Sequence, residues 1–175
     1  YRAAMKVGQE YRRRLWENEP ASVYRPLYAL ARLLVFDRML KKIGLHRVRI
    51  ALSAGAPLPP EVQGLWQVWG VNLKNLYGQT EGGVVTAQLE SFPRPGSVGK
   101  PYPGVAIRIE SDQEITVATP GAFAGYWRDE ATTAEAMDGS VIRTGDVGTF
   151  DENNDLLIID RKKDIVITAG GKNVS

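Results

Sequence analysis

The chain has 175 residues, 43% hydrophobic and 24% charged, with no cysteine and one histidine. That composition is ordinary for a folded globular chain and excludes disorder as the main state, while the length holds one domain of usual size or two small ones. The longest nearly apolar stretch, Leu27 to Phe36, is broken by Arg32 and falls far short of the roughly 20 residues a membrane-spanning helix needs. Without cysteine, and with His46 alone, disulfide frameworks, thiolate zinc sites and histidine clusters are excluded, so any metal must be a hard cation on oxygen ligands.

The chain begins at Tyr1 rather than Met, shows no signal peptide and stops just after a glycine pair; a piece of a longer, cytoplasmic protein is expected. Its charge is bipolar. Tyr1 to Arg49 carries 12 basic against 4 acidic residues, and Ile50 to Ser175 carries 10 against 16. A basic leading segment suits nucleic acid, anionic lipid or a polyphosphate ligand, or is simply a solvated helix face.

In chain order, residues 1–19 are rich in good helix formers and contain Arg12, Arg13 and Arg14 together, until Pro20 ends the pattern. A second helix is expected from Pro26 to about Ile43, with Leu27, Leu30, Leu34 and Met39 as its apolar face and Gly44 as its stop. That face is broad enough for a core or for peripheral contact with the inner membrane surface. Arg47 to Leu52 alternates as a strand and empties into the turn Ser53-Ala54-Gly55-Ala56-Pro57. Pro59 and Pro60 open a helix that Glu61 to Trp69 continues. Val71 to Leu76 reads as a strand, Tyr77 to Gly83 as a loop and Val84 to Leu89 as a strand again, the grammar of an α/β sheet.

Beyond Ser91 the grammar changes to short alternating runs punctuated by proline and glycine: Val105 to Ile109, Glu114 to Val117, Val141 to Arg143, Gly148 to Asp151 and Leu156 to Ile159. One short helix is expected at Glu130 to Met137, and a last strand at Ile165 to Thr168. The fold class is therefore α/β followed by a small β-barrel-like subdomain. The domain division is 1–92 for the helical lead-in and α/β part, 93–160 for the barrel, and 161–175 for a linker and the start of a further domain.

Three tempting motifs fail. Gly171-Lys172 lacks the Ser or Thr and the upstream glycine of a phosphate loop. Asp151, Asn153 and Asp155 open like a calcium loop, but Leu156 stands where glycine is required and Lys162 where the closing glutamate belongs; a β-turn accounts for them better. His46, between Leu45 and Arg47, reads as a surface residue. What remains is a set of polar, small-residue loops at strand ends, where open α/β sheets bind ligands. Glycines at 55, 78, 82 and 83 let a ligand approach the main chain. Tyr77 offers a stacking face, Thr80 a hydroxyl for a phosphate oxygen and Glu81 a hard oxygen for magnesium. Thr144-Gly145-Asp146 puts a carboxylate at a strand end, which suits two neighbouring ribose hydroxyls, and Arg161 adds a second polar contact. These features fit a nucleotide site, or an ordinary set of turns.

At these residues the sequence resembles the adenylate-forming acyl-CoA synthetases, and within them the long-chain fatty acid CoA ligases. The carrying segments are Ser53 to Glu61 (SAGAPLPPE), Tyr77-Gly78-Gln79-Thr80-Glu81, Gly96 to Pro101 (GSVGKP), Gly125-Tyr126-Trp127, Arg143-Thr144-Gly145-Asp146, and Asp160 to Asp164 (DRKKD) leading to Gly170-Gly171-Lys172-Asn173. The resemblance implies a fragment of the large N-terminal domain of such an enzyme up to its hinge. It implies that Gly55, Ala56 and Pro57 line one face of adenine, that Tyr77 stacks on the other, and that Gly78 and Gln79 belong to the same nucleotide loop. Thr80 would contact the α-phosphate, Glu81 would hold magnesium, and Asp146 with Arg161 would bind the ribose. Gly82, Gly83 and Val84 would border the acyl pocket, Lys163 would be the hinge, and Gly170 with Gly171 would serve the thioester step.

The implied reaction joins a fatty acid carboxylate to the α-phosphorus of ATP with loss of pyrophosphate, after which the thiol of coenzyme A displaces AMP. ATP, magnesium and coenzyme A are the implied cofactors and co-substrates; the partners are small molecules, with no nucleic acid. The family's phosphate-cradling loop and adenylating lysine would lie before Tyr1 and after Ser175, so this stretch alone is expected to be inactive. A ligase of aromatic or medium-chain acids, and a catalytically dead adenylate-binding module, remain alternatives.

Overall fold

The computed structural model describes residues 1–162, with the backbone of 166–167 and 173–174. By its contacts the chain divides into two compact units, Tyr1–Lys74 with Leu89–Gly96, and Asn75–Gln88 with Ser97–Ser175.

The first unit is mainly helical. Helix α1 (Arg2–Trp16) buries Ala4, Gly8 and Arg12, four residues apart and so on one face. A Cβ at Gly8 would come within 2.8 Å of Val68 Cγ1 and 3.3 Å of Phe36, so only glycine lets α1 lie this close to its neighbours. The rest of the basic run is paired on the surface: Glu10 accepts from Arg13 and Arg14, both at 2.8 Å, and Arg13 also contacts Glu17. Those hydrogen bonds lower the Glu10 carboxyl to about 2. Arg12 instead points inward. Its Nε donates to the Gln67 carbonyl at 3.0 Å, a terminal nitrogen donates to Tyr28 Oη at 3.2 Å, and the guanidinium lies 3.7 Å from the centre of the Phe92 ring.

The expected second helix is present but turned. It consists of α2 (Tyr24–Ala31), a π-helical turn (Arg32–Phe36) and α3 (Asp37–Lys42). The buried residues are Tyr28, Ala31, Phe36 and Leu40, while Leu27, Leu30 and Leu34 are about half exposed, at 48%, 52% and 48%. The leucine face chosen from the sequence is therefore the outer one. The physical reason is the five-residue step from Ala31 to Phe36, which a regular helix would carry off the inner face and which the extra residue of a π turn absorbs. Tyr28, Ala31 and Phe36 pack with Ala4 and Val68.

Strand β1 (Ala51–Ser53) is short, and α4 (Pro60–Val68) starts on Pro59 and Pro60, as the sequence predicts. Two glutamines of α4 are fully buried and bonded. Gln67 Nε2 donates to the carbonyls of Leu73 at 3.1 Å and Pro93 at 3.0 Å, its Oε1 accepts from Trp16 Nε1, and Gln63 also donates to Leu73. Among the described residues no helix is long and apolar enough to cross a membrane.

The second unit is built from strands. β2 (Leu73–Gln79) enters it and pairs antiparallel with β3 (Gly83–Ala87), which pairs in turn with β4 (Lys100–Pro101). β5 (Ala106–Ile109), β6 (Glu114–Ala118), β7 (Met137–Asp138), β8 (Val141–Phe150) and β9 (Leu156–Arg161) make a five-stranded antiparallel sheet. Its order is β5-β6-β8-β7, with β9 also on β8. Among the described residues this sheet does not close, so an open, forked sheet stands where the sequence predicts a barrel. The fork arises because β8 runs ten residues without a break. Its first residues meet β7, its second half meets β9, and β6 pairs along it from Val141 to Val147. Val85, Ile115, Val117, Ile142 and Leu156 form the core of this unit. Helix α5 (Glu130–Ala136) is capped by Asp129, which accepts from the Thr132 N–H. Asp151 Oδ1 accepts from the N–H groups of Asn153 and Asp155, so the calcium-like run is a turn closed by its own side chain. β10 (Val166–Ile167) pairs antiparallel with β11 (Asn173–Val174).

Candidate functional site

Residues 77–84 form a tight hairpin. β2 ends at Gln79, which pairs with Gly83 at the start of β3, and the loop is Thr80-Glu81-Gly82, closed by the Gly82 N–H on the Gln79 carbonyl at 3.1 Å. Gly83 has φ +66°, the left-handed residue that ends a three-residue hairpin loop. The ladder slips between Tyr77 and Gly78, where a Cβ at Gly78 would sit 2.1 Å from the Gly83 carbonyl oxygen; any side chain there would push the hairpin open.

The slip aims Tyr77 at β8. Its phenol donates to Asp146 Oδ2 at 2.6 Å, across 69 positions of sequence. On the other side, Arg161 Nε lies 3.1 Å from Asp146 Oδ1, and β8 and β9 pair Asp146 directly with Arg161. The Asp146 side chain is only 5% exposed, whereas that of Arg161 is 65% exposed. Burial, followed by the hydrogen bond to Asp146, pushes the Tyr77 phenol well above its ordinary range. Contrary to the strand-end placement expected from the sequence, Asp146 lies inside β8. The backbone at Asp146 is set by Gly145 at φ +70° and by Thr144, whose hydroxyl donates to the Ile115 carbonyl at 2.7 Å and accepts from the Asp146 N–H at 3.1 Å.

A carboxylate has about four lone-pair directions, and Tyr77 and Arg161 use two at Asp146. The remaining capacity suits a vicinal diol. The hydrogen bond of the Tyr77 hydroxyl to Asp146 fixes the angle of the Tyr77 ring.

Thr80 is exposed in the hairpin loop, and Glu81 is partly buried. Tyr126 Oη donates to Glu81 Oε1 at 2.5 Å, and the Phe123 N–H donates to the Glu81 carbonyl at 2.8 Å. That hydrogen bond raises the Tyr126 phenol. Tyr126 has no role in the sequence reading; its signal was the Gly125-Tyr126-Trp127 segment, but which residue it meets is a long-range fact. Magnesium ordinarily takes one or two carboxylates, with phosphate and water filling the rest of its shell. Among the described residues no cluster of three or more acidic or histidine side chains that could hold a metal forms.

A Cβ at Gly82 would meet Ile142 Cδ1 at 3.1 Å, so Gly82 lies against the core of this unit. Gly83 has nothing within 4 Å of such a Cβ, and Val84 is 44% exposed, leaving both at the surface. Gly55, Ala56 and Pro57 belong to the first unit, in the exposed loop between β1 and α4. Lys163, Gly170 and Gly171 lie outside the described residues.

The family described as AMP-binding enzyme matches residues 11–127. The chain is 39% identical over 158 residues to the long-chain-fatty-acid CoA ligase FadD15 of Mycobacterium tuberculosis, covering 89% of this chain and 26% of that protein. It is 36% identical over 149 residues to a long-chain-fatty-acid CoA ligase of Bacillus subtilis, covering 77% and 26%. The chain thus spans about a quarter of the length of these curated relatives. Among solved structures, the amide bond synthetase McbA of Marinactinospora thermotolerans matches with a TM-score of 0.66 and 33% identity, over 74% of this chain and 30% of that one. O-succinylbenzoate coenzyme A synthetase of Bacillus subtilis, in complex with ATP and magnesium ion, matches with a TM-score of 0.63 and 27% identity, over 72% and 29%. A family match over most of the chain, and relatives well above 30% identity that it covers over most of its own length, agree with one another: the chain belongs to the AMP-binding enzymes.

Proposed function

We propose that the whole protein activates a long-chain fatty acid with ATP, forming an acyl-adenylate and then an acyl-CoA, and that this stretch supplies its ribose and adenine contacts. The observation that carries the reading is the buried Asp146 carboxylate held between the Tyr77 hydroxyl and Arg161, in a chain whose curated relatives are named long-chain-fatty-acid CoA ligases. Asp146 accepts the two ribose hydroxyls, with Arg161 beside it. Tyr77 stacks on adenine, at the end of the strand it shares with Gly78 and Gln79; Gly55, Ala56 and Pro57 are assigned to adenine by the family resemblance alone. Thr80 donates to the α-phosphate, and Gly83 and Val84 border the acyl end of the substrate.

Charge builds on phosphate oxygens as pyrophosphate leaves, and groups fixed in advance lower that barrier most. Bound magnesium would supply charge neutralisation there. Glu81 is the residue of this chain suited to hold it, and Tyr126 fixes the Glu81 carboxylate in place. Lys163 is assigned as the hinge, and Gly170 with Gly171 to the thioester step with coenzyme A. Exposed Leu27, Leu30 and Leu34, on a helix that also carries Arg38, Lys41 and Lys42, support peripheral contact with anionic lipid.

Magnesium-dependent exchange of pyrophosphate into ATP by the full-length protein, run over a panel of carboxylic acids, tests the reading. Exchange stimulated most by long-chain acids supports it. Exchange with aromatic or short acids alone moves the substrate class, and none with any acid leaves an adenylate-binding module.

A further inference from the structure

Asp146 and Arg161 face each other at the end of the β8–β9 ladder, beyond an irregularity in pairing at Val147 and Gly148. The spacing between the Asp146 carboxylate and the Arg161 guanidinium at this end decides whether two adjacent hydroxyls fit. One side chain on a third strand ties this end together. Glu114, at the start of β6, accepts the Gly145 N–H on Oε1 at 3.1 Å and the Lys162 ammonium on Oε2 at 2.7 Å. Gly145 immediately precedes Asp146, and Lys162 immediately follows Arg161. The same two residues are joined directly by the Lys162 N–H on the Gly145 carbonyl at 2.8 Å. Asp112 completes the brace: its Oδ2 accepts from Lys162 Nζ at 2.7 Å, and its Oδ1 accepts from the Glu114 N–H at 3.1 Å.

An isolated surface ion pair would count for little. Here the Glu114 side chain is 13% exposed, and one carboxylate bonds two strand ends at once, so its loss frees a backbone donor and leaves the Lys162 ammonium to Asp112 alone. We infer that Glu114, acting through Gly145 and Lys162, is a positioning residue of the nucleotide site that sets the Asp146–Arg161 spacing and thereby the affinity for the ribose hydroxyls. The inference rests on the proposed role of Asp146. It assigns Glu114 no contact with nucleotide. Its expected signature is a loss of affinity confined to nucleotides that carry those hydroxyls.

The test uses the full-length enzyme and compares ATP with 2′,3′-dideoxy-ATP in Glu114→Ala, Glu114→Gln, Lys162→Met and Asp146→Asn. Glu114→Ala should raise the KM for ATP about tenfold, the scale of one lost charge-assisted hydrogen bond, with the KM for the acid unchanged. The affinity for dideoxy-ATP should stay within about twofold of wild type. Glu114→Gln, which keeps an acceptor for Gly145 and loses the ion pair, should fall between. Equal weakening of both nucleotides would make Glu114 a support of the fold alone and overturn the inference. If Asp146→Asn itself treats the two nucleotides alike, the ribose reading fails instead, which separates the two failures. Should Glu114→Ala not fold, Lys162→Met cuts the exposed side of the same brace and carries the same comparison.

Discussion

Arg12 and Asp146 are the charged side chains buried among the described residues, one in each unit, and they are held in opposite ways. Arg12 has no carboxylate among its described partners; a backbone carbonyl, a phenol and an aromatic ring surround it. Every one of those partners belongs to the packed interior, so the arrangement is closed and its effect is to join α1, α2, α4 and the segment around Phe92. Asp146 is held by two side chains, one of which, Arg161, is largely in solvent. An anion that keeps unused lone pairs beside a solvent-exposed cation can exchange partners with a ligand, whereas a cation enclosed by rings and carbonyls cannot. Burial of charge marks both places, and the partners separate a structural charge from a binding one.

The sharpest break of that contrast is Arg12→Ala. It removes the stack on Phe92 and leaves the Gln67 carbonyl without its donor, which should cost about 3 kcal/mol of stability. The urea midpoint of the full-length protein measures it, and the KM for ATP of the folded fraction should not move. A shift in that KM with stability intact would reverse the assignment.

Glu81→Ala comes next. Losing a stabiliser of developing charge should slow adenylation by about 10², against little change for the exposed Glu90→Ala. Single-turnover formation of acyl-adenylate decides it. Equal small effects from both would reduce Glu81 to a loop residue with a hydrogen bond to Tyr126.

Asp146→Asn keeps the shape and removes the charge. It should raise the KM for ATP roughly tenfold while changing stability by less than about 1 kcal/mol, because Arg161 can turn fully into solvent. A large loss of stability would place Asp146 with Arg12, as a charge the fold needs.

The sequence makes legible what is local. Proline at the start of α4, the Asp151 turn and the carboxylate after Thr144-Gly145 all come from neighbours a few positions apart. It misplaces the inner face of the second helix because a π turn changes the period between Ala31 and Phe36, and no single leucine pattern announces that. It expects two strands where β8 is one, since Gly145 reads as a break in the sequence while the pairing of β8 with three other strands carries it through. Tyr126 on Glu81 and Glu114 on Gly145 and Lys162 join positions 45, 31 and 48 apart. Register between distant strands fixes such contacts, and periodicity within a strand says nothing about it.

The smallest effect concerns pH at Tyr77. Its phenol is neutral when folded, and burial together with the ionised Asp146 raises its folded pKa above the ordinary value near 10. A group raised in this way contributes stability that is fully present below its unfolded pKa and is lost as pH rises through the folded one. The contribution is therefore unchanged across neutral pH and weakens only above about pH 10. Tyrosinate absorbance near 295 nm reads it directly. Between pH 10 and 11 wild type and Tyr77→Phe should gain equal absorbance, and only at higher pH should wild type gain one phenolate more. One extra phenolate in wild type already at pH 10.5 would mean that Asp146 does not hold Tyr77, and the buried carboxylate would lose the partner that orients the ring.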